Sequence, residues 1–236
     1  MRADDTEISF KPITDIYKRI LPVFGAHPLS NIFNEAPVLI VEGEDDERIW
    51  QQAVRTSRGG IKVYPVPCEG LGEMPGLESE TRTILESVYE RPKAFSLRDR
   101  DEGSEEIADM LPIIRMKLSC RAAENLILCD DVLHSLNLTW EQVEARITEW
   151  ILENTTHGRY GVMKQFADEG YNRKMFDLKE LRNLLVGIAL DTTKPWEVLV
   201  GQVIGRLHRP RNGADLSDHS ILAYLGTKVV ENLLPV

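Results

Sequence analysis

The side chains with the plainest capacity for chemistry are carboxylates, and they are bunched. Glu42-Gly43-Glu44-Asp45-Asp46-Glu47 carries five acids in six positions, and Asp99-Arg100-Asp101-Glu102-Gly103-Ser104-Glu105-Glu106 carries five in eight. An even spread would put between two and three of the 38 acids in those fourteen positions, against the ten found there. Carboxylates held close together cannot all stay ionised without compensation. Hard divalent cations supply it, since Mg²⁺ takes oxygen ligands, keeps several waters and is commonly held by one or two carboxylates plus a substrate phosphate. Two such ions ~3.5–4 Å apart activate a water and stabilise the leaving oxygen of a phosphodiester. Glu42 and Asp46 are four residues apart, a spacing that shares a helix face, although Glu42 itself reads as just outside the helix. Asp99 and Asp101 are two apart, so an extended segment would point both to one side. For Glu44, Asp45 and Glu47, and for Glu102, Glu105 and Glu106, a plainer explanation suffices: acids in a first helical turn are favoured by the helix dipole at ~0.3–1 kcal/mol each.

These residues need elements to position them. Pro37-Val38-Leu39-Ile40-Val41 and Lys93-Ala94-Phe95-Ser96-Leu97 are short runs rich in strand formers, and each acidic cluster begins where such a run ends. Between them the periodicity predicts a helix over 45–58, a strand over 61–66 and a helix over 79–90, with the Gly-rich turn Glu69-Gly70-Leu71-Gly72 before the second helix. After the 94–97 strand come a short helix over 105–111 and a fourth strand over 113–118. Strand–helix alternation with short connections implies an α/β fold, a parallel four-stranded sheet flanked by helices. Ligands of such sheets gather at the carboxyl ends of the strands, where both acidic clusters fall.

Composition bounds the rest. The chain has 236 residues and a formal charge of −10, which argues against a general nucleic-acid coat held by a basic face. It does not argue against a nuclease whose acids are masked by divalent cations. No apolar run approaches the ~20 residues of a membrane span, and Met1-Arg2-Ala3-Asp4-Asp5 has no signal core, so a cytoplasmic protein without a membrane partner is expected. Cys68, Cys120 and Cys129 lack C-x-x-C spacing and read as small buried hydrophobes in a reducing compartment.

The run Val38-Leu39-Ile40-Val41-Glu42-Gly43-Glu44-Asp45-Asp46, with Asp99-Arg100-Asp101 after a strand some fifty residues on, resembles the TOPRIM domain. Topoisomerases, primases and the overcoming-lysogenization-defect (OLD) nucleases share that domain, and the resemblance covers roughly residues 36–130. Arg121-Ala122-Ala123-Glu124-Asn125 is similar to a segment after the fourth strand of OLD-like defence nucleases, so the match leans to that branch. The resemblance implies a Mg²⁺- or Mn²⁺-dependent endonuclease acting on DNA or RNA. Glu42, Asp99 and Asp101 would be catalytic, and Glu42, Asp46, Asp99, Asp101 and Glu124 would hold metal. Arg98, Arg100 and Arg121, which flank the expected site, are the phosphate-binding candidates. OLD enzymes also place a late lysine near the scissile phosphate; Lys164, Lys174, Lys179 and Lys194 all stand as candidates here. No G-x-x-x-x-G-K-[ST] occurs, so ATP hydrolysis would come from a partner ATPase, as in two-component anti-phage systems. The rival expectation is a non-catalytic TOPRIM-like module that binds metal or nucleotide and regulates such a partner.

Three regions follow: an N-terminal arm (1–35), a TOPRIM-like catalytic domain (36–130) and a mostly helical C-terminal region (131–236). In the last, Thr139 reads as an N-cap before Val143, Ile147, Trp150 and Ile151. Leu178, Leu181, Leu184 and Leu185 form an apolar stripe that leaves Lys179, Glu180 and Arg182 for solvent. Further amphipathic stretches span 196–207 and 220–234. Arg206-Leu207-His208-Arg209-Pro210-Arg211-Asn212-Gly213 breaks the acidic trend and reads as a solvated loop with some capacity for phosphate. A homo-oligomer is compatible with all of this.

Overall fold

The structure, a computed structural model, describes residues 36–68, 72–101, 103, 105, 107–210 and 217–236. The expectations for the arm 1–35, and for part of the Arg206–Gly213 stretch, fall outside them. Four parallel strands, β1 (Val38–Val41), β2 (Tyr64–Pro67), β3 (Ala94–Arg98) and β4 (Ile113–Lys117), form one sheet in the order β2-β1-β3-β4. Helices α1 (Glu44–Thr56) and α2 (Met74–Val88) make the first two crossovers. All four residues of β1 are buried, as a central parallel strand covered on both faces requires. Alternation then divides the side chains. Leu39, Val41, Phe95, Leu97 and Met116 join a large core with α1 and the C-terminal region, whereas Val38, Ile40, Ala94 and Ile113 join a smaller one against α2.

From β1 the chain steps outward to β2, then returns past β1 to β3. The neighbours β1 and β3 thus diverge at their carboxyl ends into crossovers on opposite sides, the place where open parallel sheets form a crevice. Glu42 follows β1 and Asp99 follows β3 at that crevice.

In the first half of the chain the expected strands and the two long helices are present, with two differences of substance. α2 begins at Met74 rather than 79, because Pro75 sits in the first turn, where its missing N–H costs nothing. No helix occupies the described residues between 105 and 111; Met110 instead pairs with Ile113 in an isolated bridge, and Pro112 disfavours helical backbone just before it.

The C-terminal region is helical: α3 (Asp130–Ser135), α4 (Trp140–Glu153), α5 (Tyr160–Asp168), α6 (Arg182–Leu184) running into a π-helical turn (Leu185–Ala189), α7 (Trp196–Ile204), α8 (Ile221–Leu225) and α9 (Thr227–Leu233). Thr139 caps α4 in a box with Gln142, whose Oε1 accepts from the Thr139 N–H. The stretch 220–234 reads as one helix but is two, broken at Gly226, whose φ of +87° belongs to glycine and whose Cα lies against Ser119. α7 lies along α1 with Gly201 and Gly205 at the contact, where backbone meets backbone. The large core runs from the strands through residue 234. All three cysteines are buried free thiols, and none of the described helices is long and apolar enough to cross a membrane.

Candidate metal centre

The crevice between β1 and β3 is a cleft of about 300 Å³ lined by Glu42, Gly43, Glu44, Asp45, Asp46, Asp99, Ala123, Glu124, Lys179 and Trp196. Its acids arrive from three separate segments. Glu42 leaves the end of β1, and its Oε1 accepts the backbone N–H of Asp99 at 2.9 Å, tying the ends of β1 and β3 together. Asp46 projects from the first turn of α1. Asp99 is 8% exposed, and its Oδ1 accepts the Ala123 N–H at 3.0 Å. Glu124, 7% exposed, stands on the 3-10 turn Ala123–Leu128.

Crowding shows in their proton affinities. Burial, reinforced by the charges of Glu42 and Glu124, pushes Asp46 up to about 7. Burial, then Asp46 and Glu42, pushes Asp99 up to about 8 despite the opposing Lys179. Glu42 is raised too, mainly by burial, with the Asp99 N–H working against it. Two carboxyls thus titrate near neutrality in one pocket, the condition that a bound cation relieves.

Two cations from one turn of chain offset part of this charge. Lys179 Nζ lies 3.5 Å from Asp99 Oδ2. Burial disfavours its ammonium, but Asp99, Glu124, Asp101 and Glu42 outweigh that and hold its pKa above the ordinary lysine value. Arg182 Nη1 donates to Glu124 Oε1 at 2.9 Å and lies 2.9 Å from Asp45 Oδ2, with the Trp196 ring 5.8 Å from the guanidinium.

The segment that brings these cations in is fixed from beneath. Asn125 is fully buried; its Oδ1 accepts the Ala122 N–H, and its Nδ2 donates to the Arg173 and Phe176 carbonyls. The Arg121 N–H reaches the Lys174 carbonyl, and the Arg173 guanidinium binds the Leu128 carbonyl and Asp130. Leu178 and Leu181, both fully buried, then anchor the turn that bears Lys179 and Arg182.

The structure therefore brings together Glu42, Asp46, Asp99 and Glu124, and singles out Lys179 among the four candidate lysines. Lys164 pairs with Asp168, and Lys174 donates to the Ala223 carbonyl. Asp101 is not among the residues lining the cleft. The chain leaves extended geometry there, at φ +47°, and its N–H binds the Arg121 carbonyl, so it does not share a side with Asp99. Its charge still contributes to raising Glu42.

None of the three arginine candidates lines the cleft either. Arg98 ends β3 one residue before Asp99, so alternation sends it to the α2 face, where Arg98 and Arg115 grip the two oxygens of the fully buried Glu78 at 2.9 and 2.6 Å. Ser96 donates to the same carboxylate. Arg100 donates to the Ser119 carbonyl at 3.1 Å, and Arg121 lies 3.5 Å from Asp177. The sequence pattern assigned no role in the site to Asp45 and Trp196, which line the cleft, or to Arg182, which pairs with two of its acids. The signal for Arg182 was its spacing of three from Lys179, obscured because the leucine stripe assigns both to solvent.

Among the described residues no group of three or more His, Cys, Asp or Glu stands ready to hold a metal ion. One oxygen each of Glu42, Asp99 and Glu124 is engaged, by the Asp99 N–H, the Ala123 N–H and Arg182 respectively. As an all-oxygen carboxylate set in a charge-crowded pocket, these four acids nevertheless have the donor chemistry of a hard divalent cation. No protein-family model, curated protein or solved structure matches the chain.

Proposed function

We propose that the chain is a Mg²⁺- or Mn²⁺-dependent nuclease that hydrolyses phosphodiester bonds of DNA or RNA at the β1/β3 crevice. The observation that carries this reading is the meeting of Glu42, Asp46, Asp99 and Glu124, from three separated segments, in one cleft with Lys179 at its edge. Glu42, Asp46 and Asp99 would hold one cation and Glu124 a second. When bound, such ions lower the pKa of an attacking water and stabilise charge on the phosphate oxygens.

The remaining work belongs to side chains. The Asp99 N–H keeps Glu42 turned toward Asp99, so the two carboxylates face the same space. Lys179, half exposed and held as an ammonium beside Asp99, would meet a phosphate oxygen entering from solvent and stabilise charge that builds there. Buried Trp196 and Ala123 form the apolar wall that limits water in the cleft. The implied role as a defence effector, working with a partner ATPase, is carried by the resemblance of the motifs around Glu42, Asp99 and Glu124.

A non-catalytic module that binds metal or nucleotide and regulates a partner has one observation in its favour: one oxygen each of Glu42, Asp99 and Glu124 is already engaged by an N–H group or Arg182, so the acids are not poised as a two-ion catalytic shell. Glu42→Gln, which keeps shape and removes charge, tests between them with plasmid DNA and transfer RNA as substrates in Mg²⁺ or Mn²⁺. The nuclease reading expects wild type to cleave and the folded variant to lose about a hundredfold or more in rate. Equal rates, or no cleavage by wild type while it binds Mn²⁺, would replace it with the regulatory reading.

A further inference from the structure

The cleft's acids are balanced unevenly. Glu42 and Asp46 lie at the end formed by β1 and α1, and Lys179 approaches Asp99 only at 3.5 Å. At the other end the compensation is close and doubled: one nitrogen of Arg182 stands 2.9 Å from Glu124 and 2.9 Å from Asp45. Glu124 is almost fully buried, so without that guanidinium it would be an unpaired carboxylate in a poorly hydrated site, a costly state. The Arg182 side chain is 31% exposed and has the Trp196 ring beside it. It therefore has both a second carboxylate partner, Asp45, and an aromatic surface to rest on if Glu124 is withdrawn.

We propose that Arg182 is the protein's own counter-cation for the Glu124 end of the cleft, a positioning residue whose charge competes with a divalent cation for that carboxylate. This rests on the reading of the cleft as a divalent-cation site. A cation that binds Glu124 would take over the charge that Arg182 now supplies. Arg182 sits three residues after Lys179, on the turn anchored by Leu178 and Leu181. A shift of that turn would therefore move both cations together.

The test is a Mn²⁺ titration of the whole chain by calorimetry and by the electron paramagnetic resonance signal of free Mn²⁺, on wild type, Arg182→Gln and Arg182→Lys. Wild type is expected to bind one ion more tightly than a second. Arg182→Gln is expected to tighten the second by about tenfold, because the competing charge is gone. Arg182→Lys, which keeps charge but loses the planar fork, should fall between them. Glu124→Gln added to Arg182→Gln should erase the gain. A purely structural Arg182 would leave Mn²⁺ affinity unchanged or weaker on substitution, and that result in both variants overturns the proposal. Wild type that binds no Mn²⁺ sinks the underlying metal reading and this inference with it, so the two failures are distinguishable.

Discussion

At the scale of single residues, the carboxylates that matter are those whose charge the fold makes uncomfortable. Asp46 and Asp99 are pushed up to about 7 and about 8, far above the ~3.9 of an unfolded aspartate. A raised acid pKa means the folded state binds more protons than the unfolded one. Its stabilising effect is full below about pH 4 and is lost as pH rises through about 7 and 8. Metal-free protein in EDTA should therefore melt at a falling temperature between about pH 5 and about pH 8, and Asp46→Asn with Asp99→Asn should flatten that slope. A melting temperature that rises over the same range would contradict the crowding of these groups. Glu42 and Asp99 were legible in the sequence because strand ends mark positions at a sheet edge, Asp46 because it lies four residues after Glu42, and Glu124 only through the resemblance of the segment Arg121–Asn125. The side on which each neighbour falls was harder to read. Arg98 and Asp99 are adjacent, so the twofold alternation of a strand sends one to Glu78 and the other to the cleft, and treating both as flanking the site lost that distinction.

At the scale of elements, the cleft depends on how closely α7 lies against α1, since α1 carries Asp45 and Asp46 and α7 begins with Trp196. A Cβ added at Gly201 would run into the Ile49 carbonyl oxygen and stand 2.7 Å from Gln52 Cβ; at Gly205 it would meet the Ala53 carbonyl at 2.6 Å. Backbone atoms cannot yield as a side-chain tip does. Gly201→Ala gains ~1 kcal/mol in helix propensity and loses ~1–3 kcal/mol to overpacking, so the net is a loss. Urea denaturation should give a lower midpoint for Gly201→Ala with an unchanged slope; equal or greater stability would show that the helices sit farther apart. Strands and helices of the first half were readable because apolar runs and turn residues are local signals. The sheet order, the break at Gly226 and the 3-10 turn bearing Glu124 were not, because they are set by contacts between distant segments, such as Asn125 with the Arg173 and Phe176 carbonyls.

For the whole molecule, a net charge of −10 and a cleft in which Lys179 is the one basic lining residue among those described mean that the proposed nuclease would rely on bound cations to recognise phosphate. The helical second half was legible as helices, but its role in the site was not. It supplies Lys179 and Arg182 from about fifty residues beyond the motif that ends in Asn125. The large core, continuous from β1 to Leu234, holds that segment against the sheet. The most direct measurement is anomalous diffraction from crystals soaked in Mn²⁺. A peak in the β1/β3 crevice, within coordination distance of Glu42, Asp46 and Asp99 oxygens, is the expected result. Diffraction that places Mn²⁺ only on surface carboxylates, with the cleft empty at saturating concentration, would contradict the assignment of these acids to a metal centre.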